Sequence, residues 1–135
     1  MNLTVIDTNV IIAAQLTKHD DSATRQVIKA VFDGIVTPVV TNAILAEYAD
    51  VMSRPKFRIA PEAVSAVVGY FRRHGRFVTP NTYSAPLPDE KDRMFFEAAL
   101  ALFDDDAKLV TGNAKHFPPA PFVVSPAEFA ALLGH

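Results

Sequence analysis

The sequence predicts an α/β fold, a three-layer α/β/α arrangement around a mostly parallel central sheet. Two observations carry this. Apolar runs at 3–7, 35–40, 109–111 and 122–124 alternate with helix-length amphipathic patterns, as strands do when crossover helices separate them. The first run, Leu3-Thr4-Val5-Ile6, ends abruptly at Asp7, as expected of a strand covered on both faces of a parallel sheet.

The elements follow in order. After the strand at 3–7, residues 9–15 suit a short helix, and Thr17–Asp21 a polar loop. Ser22 is placed to cap a helix bearing Ala23, Val27, Ala30 and Val31 on one face and ending near Gly34. The run 35–40 contains Pro38, which marks an edge strand or a bend. Thr41 and Asn42 can cap a helix over 43–53, which the Arg54-Pro55 step closes. Pro61 opens a helix reaching about His74, and 76–79 is a short strand candidate. Pro80, Pro86 and Pro88 make 80–88 a loop, and 90–103 is the strongest helical pattern. Strands at 109–111 and 122–124 precede a final helix with Ser125 as cap and Pro126 as its first residue.

A chain of 135 residues is long enough for one domain with a full core, here residues 1–135. Its 50% hydrophobic and 21% charged composition fits a soluble globular protein. No stretch approaches the roughly 18 apolar residues of a membrane span. No basic segment precedes the first apolar run, so no signal peptide is expected. The absence of cysteine excludes disulfides, thiol catalysis and Cys-based zinc sites; a cytoplasmic location is compatible with this.

The net charge of −2 is unevenly spread. Arg54, Lys56, Arg58, Arg72, Arg73 and Arg76 stand against Glu62 alone, while 89–106 holds seven acidic residues against Lys91 and Arg93. An acidic pole beside a basic one suits a metal-dependent enzyme acting on a polyanion, and equally a solvated surface.

Individual carboxylates can be weighed. Asp7, at the end of a buried strand, points to the crevice where open α/β sheets bind ligands; helix capping is its structural alternative. On helix 43–53, Ile44, Leu45, Tyr48, Val51 and Met52 form the apolar stripe, Glu47 lies on its rim, and Asp50 faces water. On helix 90–103, Met94, Phe95, Ala98, Ala99 and Leu102 define the core face. Asp92 projects on that side, and Arg93 and Glu97 on the other. Asp89 reads as the N-cap. Asp104-Asp105-Asp106 solvates the helix end against its dipole. Thr111-Gly112-Asn113 returns polar groups to a strand end, although Gly-Asn is also good turn chemistry. Asp7, Glu47, Asp92 and Asn113 thus converge on one mouth. Clustered carboxylates repel one another, and a hard cation such as Mg²⁺ or Mn²⁺ relieves this while activating water for phosphodiester hydrolysis.

The sequence resembles the PIN-domain nucleases, and among them the VapC-type toxins of prokaryotic toxin–antitoxin systems. The carriers are VIDTNV, TNAILAEYADVMSRPKF, PDEKDRMFFEAALA and LVTGNAKHFP with the closing strand and helix, spanning essentially the whole chain. The resemblance implies divalent-metal-dependent RNA cleavage, with Asp7, Glu47 and Asp92 as first, second and third acids holding Mg²⁺ or Mn²⁺. It also implies a cognate antitoxin partner and a homodimer. Many members carry Asp where this chain has Asn113, which bears on a second metal and leaves one-metal hydrolysis intact. Thr8, Asn9, Asp89, Thr111 and Asn113 are candidates for orienting waters or ligands. His116 reads as a turn or cap residue. The six basic residues are candidates for RNA phosphates. Aromatics suited to base stacking are few there: Phe57, Tyr70, Phe71 and Phe77.

Two other readings compete. Asp-Thr-Asn-Val resembles the nucleophile motif of haloacid-dehalogenase-type phosphatases, with Asp7 as nucleophile but Asn9 where the general acid belongs. A catalytically weak binding module on the same fold is the second.

Overall fold

The computed structural model describes residues 2–134. Among them run strands β1 (Asn2–Ile6), β2 (Val36–Val40), β3 (Arg76–Phe77), β4 (Lys108–Val110) and β5 (Val123–Val124). The helices are α1 (Thr8–Leu16), α2 (Ala23–Phe32), α3 (Asn42–Met52), α4 (Pro61–His74), α5 (Arg93–Ala101) and α6 (Pro126–Leu133). The strands form one sheet in the order β3-β2-β1-β4-β5, and every pairing is parallel. β1 is therefore central, which explains why Leu3, Val5 and Ile6 are all buried.

The helices start where local chemistry directs. The hydroxyls of Ser22 and Thr41 accept the amides of Arg25 at 3.3 Å and Ile44 at 3.0 Å. Ser125 and Glu128 form a reciprocal capping box behind Pro126. The core joins the sheet to α3, α4 and α5 through Tyr48, Phe71 and Phe95, all fully buried. α2 packs against α1 and α6.

Three expectations need correction. Pro38 does not mark an edge strand: β2 continues through it as the sheet's second strand. β3 pairs only with Val39 and Val40, so no strand flanks β2 beside Pro38 on that side to require its missing amide. β3 itself is tightly placed: a Cβ on Gly75 would stand 2.4 Å from the Phe71 carbonyl oxygen and 3.0 Å from that of Pro38. The single helix expected over 90–103 is instead a 3-10 turn (Glu90–Asp92), then α5, then a second 3-10 turn (Phe103–Asp105).

Arg93 and Glu97, expected to face away from the core, strap the proline-rich segment onto α5. Arg93 donates to the carbonyls of Tyr83 and, at 2.9 Å, Ala85, while Glu97 accepts the Tyr83 amide at 2.9 Å. That strap delivers the chain to Asp89 and Asp92.

Candidate active site

Sheet register begins the site. β1 and β4 pair Ile6 with Val110, so the next residues, Asp7 and Thr111, lie side by side at the carboxyl edge. The Asp7 amide donates to the Val110 carbonyl at 3.0 Å, and the Thr111 hydroxyl donates to Asp7 Oδ2 at 2.7 Å. Asp7 is 6% exposed. It occupies the N-cap position of α1, yet its side chain makes no capping hydrogen bond. The carboxylate's hydrogen bond runs to Thr111 across the sheet. Burial pushes its pKa up; the Thr111 hydroxyl and the nearby Thr8 and Asn9 amides oppose the rise, and the charge of Glu47 adds to it.

Tyr48 ties the second acid to the first. Its hydroxyl donates to the Ile6 carbonyl at 2.5 Å. Its ring meets Phe71 edge-on at 5.5 Å and stacks on Phe95 at 6.4 Å. α3 is thereby locked to the end of β1, with half-buried Glu47 one residue away. Burial and the Asp7 charge hold the Tyr48 phenol well above its ordinary pKa, so it stays a donor. Sequence reasoning placed Tyr48 on the apolar stripe and missed this bond. The only hint was a tyrosine where an aliphatic residue would fill the same space.

Asp92 stands at the joint between the 3-10 turn and α5, where Asp89 Oδ1 accepts the Lys91 amide at 3.0 Å. Its side chain is 16% exposed. Burial pushes its pKa up to about 6, aided by the charges of Asp7, Asp89 and Glu47 and opposed by His116. His116 was read as a turn residue, and it does end a 3-10 turn (Ala114–His116). Its Nδ1 also lies 3.8 Å from Asp92 Oδ2, a proximity that no spacing in the sequence announces.

The remaining polar groups cross-link the two strand ends. Asn9 Oδ1 accepts the Gly112 amide at 3.2 Å, and Thr111 Oγ1 accepts the Asn113 amide at 3.0 Å. Asn113 itself is exposed. The hydroxyl of Thr8, beside Asp7, is buried with no hydrogen-bond partner, alone in this among the described residues. Such an atom is costly unless something else satisfies it.

The basic residues divide. Arg54 lines an open groove of about 590 Å³ with Thr8, Asn9, Glu47, Phe57 and Lys91, and Lys56 and Arg58 belong to the same turn. Arg72 and Arg73 do not approach this mouth. The neighbouring Tyr70 hydroxyl donates to the Phe32 carbonyl at 3.2 Å, at the end of the helix that feeds the start of β2. That places the C-terminus of α4 at the amino edge of the sheet. Arg76 lies on β3, the outermost strand. The expected cluster of six is thus divided: Arg54, Lys56 and Arg58 share one turn, Arg72 and Arg73 sit in the last turn of α4, and Arg76 pairs with Val39 toward the carboxyl end of β2.

Among the described residues, no three His, Asp or Glu side chains close on a single point. The donor set is nevertheless all oxygen, two of its carboxyls are pushed up by burial and by neighbouring carboxylate charge, and the Thr8 hydroxyl is unsatisfied. These properties fit a hard divalent cation that keeps much of its water.

A family profile for the PIN domain matches residues 4–115. The chain belongs to the PIN-domain family. No curated protein and no solved structure matches the chain. The matched PIN-domain stretch takes in Asp7, Glu47, Asp92, Thr111 and Asn113 and stops one residue before His116. PIN domains are in general nucleases that use divalent metal ions, which supports a hydrolase acting on nucleic acid here. No helix of the described PIN-domain residues is long and apolar enough to cross a membrane.

Proposed function

We propose that this PIN domain is an endoribonuclease dependent on Mg²⁺ or Mn²⁺, and the toxin of a toxin–antitoxin pair. The observation that carries the reading is the carboxyl edge itself. Asp7 and Asp92 are withdrawn from water, which pushes both carboxyls up; the charge of Asp7 raises Asp92 further, and Glu47 adds to both. A fold gains nothing from such repulsion unless a cation offsets it.

Asp7, Glu47 and Asp92 are the residues that would hold the metal. When bound, it supplies activation of water and stabilises charge developing on the phosphodiester. The chain's own groups do the rest. Thr111 fixes the direction of the Asp7 carboxylate, Tyr48 fixes α3 and so Glu47, and Asn9 ties the Gly112 turn against α1. Arg54, Lys56 and Arg58 lie where phosphates of the strand would pass. Asn113, neutral and exposed, favours a single metal.

The phosphatase reading needs a general acid at position 9. Asn9 cannot supply a proton, and its oxygen is occupied by the Gly112 amide. The toxin assignment, an antitoxin partner and a homodimer rest on likeness to VapC-type toxins.

The test is cleavage of a mixed RNA pool by the purified chain with Mg²⁺ or Mn²⁺, beside Asp7→Asn. The expected outcome is metal-dependent cutting by the wild type alone. Equal cutting by both rejects the site. If neither cuts and millimolar Mn²⁺ leaves the melting temperature unchanged, the binding-module reading replaces it, because a cation bound to the folded state must raise that temperature. Expression in a host lacking the partner should arrest growth for the wild type and not for Asp7→Asn.

A further inference from the structure

We propose that the groove beside Glu47 is a subsite for one unpaired nucleobase of the substrate strand, stacked on Phe57 with the adjoining phosphates on Arg54 and Lys91. This deepens the nuclease reading and rests on it. The groove is continuous with the acidic mouth, since Thr8, Asn9 and Glu47 line both. Its walls away from the mouth change character. Ile12 and Val51 are apolar, Phe57 offers a half-buried ring, and Arg54 and Lys91 stand at the rim. Apolar walls between cations match an alternation of flat base and anionic phosphate. A carboxylate-lined metal site alone would need no such walls.

Phe57 is held at the surface by its backbone. It ends a 3-10 turn (Pro55–Phe57), and Arg58 stops that turn in the left-handed region at φ 53°. That conformation is uncommon outside glycine and is retained where surrounding structure demands it. Lys56 Nζ lies over the Phe57 ring, 5.0 Å from its centroid, so that face is turned to solvent and a stacked base would take the place the ammonium holds. Neither Lys56 nor Lys91 makes an ion pair among the described residues, and Arg54 has only the exposed Asp50 at 3.3 Å. These cations are available to phosphates. Of the other aromatics near the basic segment, Phe71 is fully buried, Tyr70 is packed on Phe32 at 4.5 Å, and Phe77, though exposed, does not line the groove. A base inside a duplex has both faces covered, so a stacking wall selects single-stranded segments.

The experiment measures binding separately from cleavage. Fluorescently labelled mixed-sequence RNA, single-stranded or annealed to its complement, is titrated with Asp7→Asn protein bearing Phe57→Leu or Phe57→Tyr. Leucine keeps the apolar packing, and equal melting temperatures verify the fold. Phe57→Leu should weaken single-strand binding about 5- to 100-fold, with Phe57→Tyr close to the parent and duplex binding unchanged. Arg54→Gln should instead reduce the salt dependence of binding, which Phe57→Leu leaves alone. Single-strand binding undiminished by Phe57→Leu, where the wild type does cut RNA, overturns the subsite alone. If the wild type cuts no RNA and the parent binds none, the nuclease reading has failed and the subsite falls with it.

Discussion

Helix α5 carries carboxylates at both ends, and the two ends are physically opposite. At its start, Asp92 is drawn out of water beside Asp7, Asp89 and Glu47, and its pKa rises to about 6. Beyond its end, Asp104, Asp105 and Asp106 are all exposed. Asp106 sits in the left-handed region at φ 59°, its side chain 88% exposed and paired with Lys108 at 2.9 Å. The second cluster is denser along the chain, yet water screens it, and the only charged side chain paired with it is Lys108 among the described residues. Carboxylates become a candidate site when separate elements bring them together away from solvent; sequence density is a poor guide.

The largest expected effect separates the two ends by activity. Glu47→Gln and Asp92→Asn should each lower RNA cleavage by on the order of 100-fold or more, as losses of groups acting at the reacting centre do. Asp105→Asn should change it less than about twofold. Comparable losses at both ends, measured as kcat/KM on one RNA, would erase the distinction.

A smaller effect lies in the pH dependence of stability. Between the ordinary 3.8 and about 6, folded Asp92 keeps a proton that the unfolded chain has released. The folded state is therefore favoured at the acid end, and the metal-free protein should lose stability as pH rises through that window. Asp7, also pushed up by burial, contributes with the same sign. Urea unfolding across the window should show the decline, flattened by Asp92→Asn and untouched by Asp105→Asn. A stability that climbs with pH there would contradict the burial of Asp92.

The smallest effect belongs to the exposed end. Lys108→Ala removes the partner of Asp106 and should cost no more than about 0.5 kcal/mol in the same unfolding assay, the scale of exposed ion pairs. A loss several times larger would mean that the acidic run braces the second 3-10 turn.

Much of this was local enough to read along the chain. Apolar runs and helical periodicity specify the α/β layers, because burial on two faces or one face imposes those patterns. Ser22, Thr41 and Ser125 cap the helices they precede, since a cap bonds an amide three residues on. Asp50 faces outward and Asp7 terminates the central strand for equally local reasons.

What lay beyond reach depends on register and on chain crossings. The bond from Thr111 to Asp7 joins residues 104 apart, and the Tyr48 bond to Ile6 spans 42. Each exists because strands and helices settle in one alignment, a choice made by the packing of the whole core and by no segment alone. The same holds for His116 beside Asp92 and for Arg72 and Arg73, which sit in the last turn of α4. Residue types and their strand or helix ends follow from local pattern; which of them share one low-dielectric pocket follows from the energy of packing the completed sheet.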